Sequence, residues 1–167
     1  MTKKIGIFGG SFDPLTYGHL NLIERSSRLF DQVIVLIAVN TAKQAVFTLE
    51  ERQQLIQEVT SHLDNVRIDT LTDGLIAHYY QSVQATSLIR GVRSGKDFEY
   101  EASIASVNQT QVDHLETVLL LADDKYRYIS SSLIKEIAYF GGDVSQMVPE
   151  NVARALQDKY QTSQNES

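Results

Sequence analysis

Short runs of Val, Ile and Leu, too brief to be helices, alternate along this chain with longer segments whose apolar residues recur at helical spacing. Residues 5–8, 33–39, 66–68, 87–89 and 117–121 are rich in Val, Ile and Leu and read as buried strands. Residues 19–29, 48–63, 75–84, 97–112, 131–140 and 149–159 read as helices. Thr48-Leu-Glu-Glu51 is a capping box that starts the second helix. Phe140-Gly-Gly-Asp143 stops the fifth, since glycine adopts the left-handed conformation that ends helices. Strictly alternating strands and helices predict an α/β domain with an open, parallel, five-stranded sheet. Right-handed crossovers then put helices on both faces, and a short helical C-terminus follows. One domain is expected over residues 1–160, with a polar tail, 161–167, that has no apolar anchors and reads as disordered.

Fifteen Lys and Arg against twenty-one Asp and Glu leave a net charge of −6. Proteins that grip phosphate chains non-specifically are usually basic, so this balance argues against nucleic acid as a partner. An anionic ligand must instead be met by a few placed cations and backbone N–H groups, which points to a small molecule. With no Cys, neither disulfides nor thiolate-bound metals hold the fold. The first apolar run is far too short for a signal peptide, and no later run is long enough for a bilayer. The expected compartment is the cytoplasm, with no membrane partner.

In an open parallel sheet, ligands sit outside the carboxyl ends of the strands, beside the helix N-termini. The first strand is followed there by Gly9-Gly-Ser-Phe-Asp-Pro-Leu-Thr-Tyr-Gly-His19. The glycines are expected to turn the backbone sharply and to bring N–H groups near an anion. The loop is neither GxxxxGK[ST] nor GxGxxG. His19 falls at the start of the first helix, where the positive end of the helix dipole favours phosphate.

Cations follow two further strands. Lys43 comes after the second, although on its own a lysine there reads first as a solvated surface residue. Arg90-Gly-Val-Arg93 comes after the fourth, where guanidinium groups can fork onto phosphate. The competing reading is an ion pair to Asp97, Glu99 or Glu101. After the fifth strand, Tyr126-Arg-Tyr-Ile-Ser-Ser-Ser132 opens a helix with no Glu or Gln three residues beyond any serine. Hydroxyls and N–H groups at that terminus are therefore expected to be free for an anion. His62, His78 and His114 are away from strand ends and read as surface histidines.

The first loop resembles the signature of the nucleotidyltransferase superfamily, [GT]-[ST]-F-D-P followed by [HT]-x-G-H, here with Thr16-Tyr-Gly-His19. The chain up to about Lys159 is similar to the bacterial phosphopantetheine adenylyltransferase family. The likeness is carried by Leu88-Ile-Arg-Gly-Val-Arg93, Asp97-Phe-Glu-Tyr-Glu101, Phe47-Thr-Leu-Glu-Glu-Arg52 and Ile129-Ser-Ser-Ser-Leu-Ile-Lys-Glu136. Ser11 stands where that family usually has Thr, and Phe8-Gly9 where it often has Tyr-Pro.

That resemblance implies a Rossmann-like fold and an adenylyltransferase that moves AMP from ATP to 4′-phosphopantetheine, giving dephospho-coenzyme A and pyrophosphate. It implies catalytic roles for His19 and Lys43. ATP would be held by Ser11, Phe12, His19, Gly91, Val92, Arg93, Glu101, Tyr126, Arg127, Tyr128, Ile129, Ser130, Ser131 and Ser132. The acceptor would be held by Ser11, Lys43, Leu75, Ile76 and Arg90. The resemblance also implies Mg²⁺, carried mainly by the ATP phosphates with no protein cage, and a homohexamer. Two other readings share part of the pattern. One is a nicotinate-mononucleotide adenylyltransferase, and the other is a non-catalytic nucleotide-binding module.

Overall fold

The computed structural model describes residues 2–39 and 42–167; Asn40 and Thr41, which lead to Lys43, lie outside the described residues. The strands are β1 (Ile5–Gly10), β2 (Gln32–Ala38), β3 (Val66–Leu71), β4 (Ser87–Val92) and β5 (Thr117–Leu121). They form one sheet in the order β3-β2-β1-β4-β5, and every neighbouring pair is parallel. The helices are α1 (Tyr17–Leu29), α2 (Leu49–Thr60), α3 (Ile76–Ser82), α4 (Gly95–Gln111), α5 (Ser131–Tyr139) and α6 (Glu150–Asn165), with a 3₁₀ turn at Asp124–Tyr126 before α5. The observed architecture is the expected one, a Rossmann-like α/β sheet with helices on both faces.

Strand β2 shows why no polar alternation is visible in the sequence. Its side chains point alternately to the two faces. Val33, Val35 and Ile37 pack with Phe8, Leu22, Ile23 and Ile56 under α1 and α2. Ile34 and Leu36 pack with Ile7, Ala77, Tyr80, Leu88 and Leu115 on the other face. A third cluster of Phe47, Ile129, Ile134, Val144, Val148, Val152 and Leu156 fastens α5 and α6 to the loop before α2.

Several boundaries differ from the sequence reading. Gly9 and Gly10 are not in a loop; they extend β1, paired with Leu36 and Ile37 of β2. Arg90, Gly91 and Val92 likewise belong to β4, opposite Leu119, Leu120 and Leu121. The parallel ladder carries the backbone on where the apolar run has ended. Gly91 has a packing reason, since a Cβ there would fall 2.4 Å from Leu22 Cδ1 and hold α1 off the sheet. Helix α2 stops at Thr60, and α6 runs on to Asn165, through most of the stretch read as a tail. Among the described residues, no helix is long and apolar enough to cross a membrane.

The strand order places the site. The connection from β1 leads to β2 on one side, while β4 lies on the other. The winding direction reverses between β1 and β4, and an open parallel sheet binds its ligands outside the carboxyl ends of the strands at such a point.

Candidate active site

The segment between β1 and α1 is held from several directions. Arg90 Nη1 donates to the Gly9 carbonyl at 2.8 Å, and Arg52 Nη1 to the Ser11 carbonyl at 2.9 Å. The buried Asp13 carboxylate accepts the N–H groups of Val46 and Phe47, each at 2.9 Å, and pairs with Lys135 Nζ at 3.4 Å. Ser131 Oγ donates to the Pro14 carbonyl at 2.9 Å. Between these anchors Phe12 takes a left-handed φ of 47° and is 2% exposed, a costly conformation that the surrounding packing must hold in place.

The loop ends in an unusual cap. Thr16 is the N-cap of α1, and its Oγ1 accepts the N–H of His19 at 3.2 Å. The return bond is made by the imidazole, whose Nδ1 accepts the Thr16 N–H at 3.1 Å. A backbone N–H can only donate, so Nδ1 carries no proton and the neutral ring is protonated at Nε2. The ring is partly buried and lies edge-on to Phe12, with centroids 5.1 Å apart. Burial first, then the charges of Arg90 and Arg93, lower its pKa from 6.5 to about 4. His19 at neutral pH is an uncharged donor, aimed through Nε2. The other histidines, His62, His78 and His114, are exposed.

Both competing ion-pair readings of the arginines are realised. Arg90 forms a two-bonded pair with Glu101, each bond 2.9 Å long. Arg93 pairs with Asp97 at 3.3 Å, and its Nη1 donates to the Ile129 carbonyl at 2.8 Å. Arg93 therefore ties the end of β4 to the start of α5. Glu101, expected on ATP, has both oxygens on Arg90.

The start of α5 is also less open than the serine run implied. Ser130 is its N-cap and accepts the Leu133 N–H at 3.2 Å, while the Ser131 hydroxyl is directed to Pro14. Of these three serines, the exposed Ser132 alone makes no hydroxyl hydrogen bond to the described residues. Ser11, Lys43, Ser131 and Ser132 line one cleft of about 120 Å³, together with Asp13, Arg52 and Lys135. Two larger hollows, of about 410 and 570 Å³, lie against α6 and contain none of the expected site residues.

The remaining expected residues divide. Tyr126 stacks on Tyr17, ring centroids 6.4 Å apart, beside the start of α1. Ile76 reaches the end of β1, where its Cδ1 would meet a Cβ on Gly9 at 3.0 Å. Val92 is buried, and Gly91 serves the packing of Leu22. Leu75 and Tyr128 are exposed, and Arg127 pairs with Asp124 at 3.1 Å at the surface. Sequence reasoning missed Lys135, Asp13 and Arg52. Lys135 had a signal: it follows Ser131 by one helical turn, and the two side chains reach Asp13 and Pro14 from one face of α5.

The model of the cytidylyltransferase-like family matches residues 7–137. A phosphopantetheine adenylyltransferase of Latilactobacillus sakei is 52% identical, over 95% of this chain and 96% of that protein. One from Levilactobacillus brevis is 49% identical, over 91% of this chain and 94% of the relative. Among solved structures, a putative nicotinate-nucleotide adenylyltransferase from Vibrio parahaemolyticus superposes with a TM-score of 0.70 at 20% identity, covering 95% of this chain and 96% of that one. That likeness speaks to the fold alone. On the match of sequence over nearly its whole length, the chain belongs to the cytidylyltransferase-like family and, within it, to the phosphopantetheine adenylyltransferases.

Proposed function

We propose that this protein transfers AMP from ATP to the phosphate of 4′-phosphopantetheine, releasing pyrophosphate and forming dephospho-coenzyme A. The nucleophile is the acceptor's own phosphate oxygen, so the protein needs no serine or cysteine nucleophile. Its tasks are to align two anionic groups and to meet the charge that develops on the α-phosphate.

The observation that carries the reading is the neutral His19 with its proton on Nε2, at the start of α1 and near enough to Arg90 and Arg93 for their charges to lower its pKa. A neutral donor can bond the transferring phosphoryl group without competing as a base for a proton. Lys43 lines the same cleft as Ser131 and Ser132, and in the proposal it bridges the two phosphates. The start of α5, with Ser132 and Lys135, faces the leaving pyrophosphate. Ile76, at the end of β1, packs along the pantetheine arm.

The proposal includes Mg²⁺, which when bound offsets charge on the triphosphate. The donor set suits an ion carried by phosphate oxygens and water. Around the cleft stand Lys43, Arg52 and Lys135, and both oxygens of Asp13 are already bonded to protein partners. A cytoplasmic homohexamer completes the proposal. Its assembly is supported by α4, which leaves Phe98, Tyr100 and Val107 more than half exposed, at 54%, 65% and 61%.

The test is pyrophosphate release from ATP with a panel of acceptors. Release with 4′-phosphopantetheine and none with nicotinate mononucleotide is expected. The reverse pattern would assign the chain to the sister activity, and no release with any acceptor would leave a nucleotide-binding module.

A further inference from the structure

Asp13 is 5% exposed, and a carboxylate at that depth is stable only with partners. Its partners come from two other parts of the chain. Oδ1 accepts the Phe47 N–H and Oδ2 the Val46 N–H, each at 2.9 Å, and Lys135 Nζ of α5 stands 3.4 Å from Oδ2. Arg52 of α2, equally buried, ties the same two segments in the opposite sense. Its Nη1 donates to the Ser11 carbonyl at 2.9 Å and its Nε to the Thr48 carbonyl at 3.4 Å. A carboxylate from the segment after β1 and a guanidinium from the start of α2 therefore join the two segments reciprocally.

Val46 and Phe47 are the third and fourth residues after Lys43. Lys43 is exposed, on the connection from β2 to α2, and lines the cleft together with Ser11, Asp13 and Arg52. A lysine side chain is a flexible four-carbon stem, so the reach of its ammonium is decided by where the backbone beneath it is held. Attachment to the fold does not by itself require a carboxylate here. The Phe47 ring is already buried among Ile129, Ile134 and Val148, and buried ion pairs often stabilise no more than apolar packing would. What Asp13 adds is direction: two backbone N–H groups near Lys43 are fixed against the segment that carries Ser11.

We propose that Asp13 is a positioning residue that acts through Lys43. By holding Val46 and Phe47 it sets the place of Lys43 relative to Ser11, so that ammonium and hydroxyl meet the acceptor phosphate together. The carboxylate itself touches neither substrate. This rests on the adenylyl-transfer reading above.

The experiment measures initial rates for the full-length wild type, Asp13→Asn, Lys43→Met and the double variant, varying each substrate with the other saturating. Asp13→Asn keeps the side-chain size but turns one acceptor oxygen into an N–H donor, which cannot serve both backbone N–H groups. It should lower kcat/KM for 4′-phosphopantetheine about tenfold to a hundredfold, the scale of a misplaced group. KM for ATP should stay within about twofold of wild type. In the Lys43→Met background, Asp13→Asn should cost less than about twofold, because the residue it acts through is gone. Asp13→Glu, which keeps the charge and both acceptor oxygens but displaces them by one methylene, should fall between wild type and Asp13→Asn.

An equal loss with and without Lys43 is the mark of a merely structural role and overturns the proposal. So does a loss confined to KM for ATP, or no loss at all. A loss that raised Mg²⁺ reverses would make Asp13 a metal ligand and overturns it too. If Asp13→Asn does not fold by circular dichroism, Asp13→Glu carries the same comparison in the two Lys43 backgrounds. If neither folds, the carboxylate serves the fold itself and the proposal fails. Wild-type turnover separates the two levels of inference. No pyrophosphate release by the wild type removes the reaction and this proposal with it; normal wild-type release with equal losses in the two backgrounds removes this proposal alone.

Discussion

The backbone N–H of Thr16 donates to Nδ1 of His19 at 3.1 Å, and the His19 N–H returns a bond to Thr16 Oγ1 at 3.2 Å. Helix caps of this reciprocal form ordinarily use Glu or Gln at the third position. Here an imidazole fills that place, so the device that starts α1 also selects the ring tautomer. The proton is left on Nε2, and the low pKa keeps the ring neutral wherever the enzyme would work.

Replacing His19 by Ala should lower kcat by about 10²–10³, the scale of one lost donor to a developing charge. ATP affinity, spread over many contacts, should change little. Steady-state kinetics together with nucleotide titration check both halves. A variant that turns over near the wild-type rate would remove the role given to the imidazole.

Acid should weaken the fold partly through the same residue. The folded-state pKa of His19 is lowered from 6.5 to about 4, so between those values the unfolded chain binds a proton that the folded one does not. Stability therefore rises with pH across that window and falls as pH drops from about 6.5 towards 4. Urea midpoints at pH 7.5 and 4.5 should differ more for wild type than for His19→Asn. Equal differences would contradict the partly buried, neutral ring.

The order of elements was legible because each strand is a short apolar run bounded by helical spacing, and β2, buried on both faces, is the clearest case. The ends of β1 and β4 were not. Gly9, Gly10, Arg90 and Gly91 lack apolar side chains, and only pairing with β2 and β5 makes them strand. Within the site, the Thr16-Tyr-Gly-His19 spacing located the imidazole, since a capping residue and its partner lie three apart. It could not say that the ring itself closes the cap. The Arg90–Glu101 pair joins β4 to the second turn of α4 across 11 residues, and nothing in the spacing distinguishes Glu101 from Asp97 or Glu99 as the partner. The serine run misled for a local reason: a helix start lacking a carboxylate can still be capped by its own hydroxyl, as Ser130 caps α5.

Gly91 offers a test of how α1 is seated. A Cβ at this position would lie 2.4 Å from Leu22 Cδ1, so Gly91→Ala must push the leucine or the helix away from β4. The expected cost is about 1–3 kcal/mol, the usual range for an overpacked core. Trimming the neighbour in Gly91→Ala/Leu22→Ala should make the glycine substitution less damaging than it is alone, a non-additivity expected of residues in contact. Thermal melts of the two single variants and the double variant measure it; strictly additive losses would mean that the contact does not constrain the helix.

The most direct measurement is the ¹⁵N NMR spectrum of the His19 ring between pH 5 and 8. The account predicts a pyrrole-like, protonated Nε2 and a pyridine-like Nδ1, with no titration across that range. A ring protonated at Nδ1, or one that titrates near its ordinary pKa of 6.5, would contradict it.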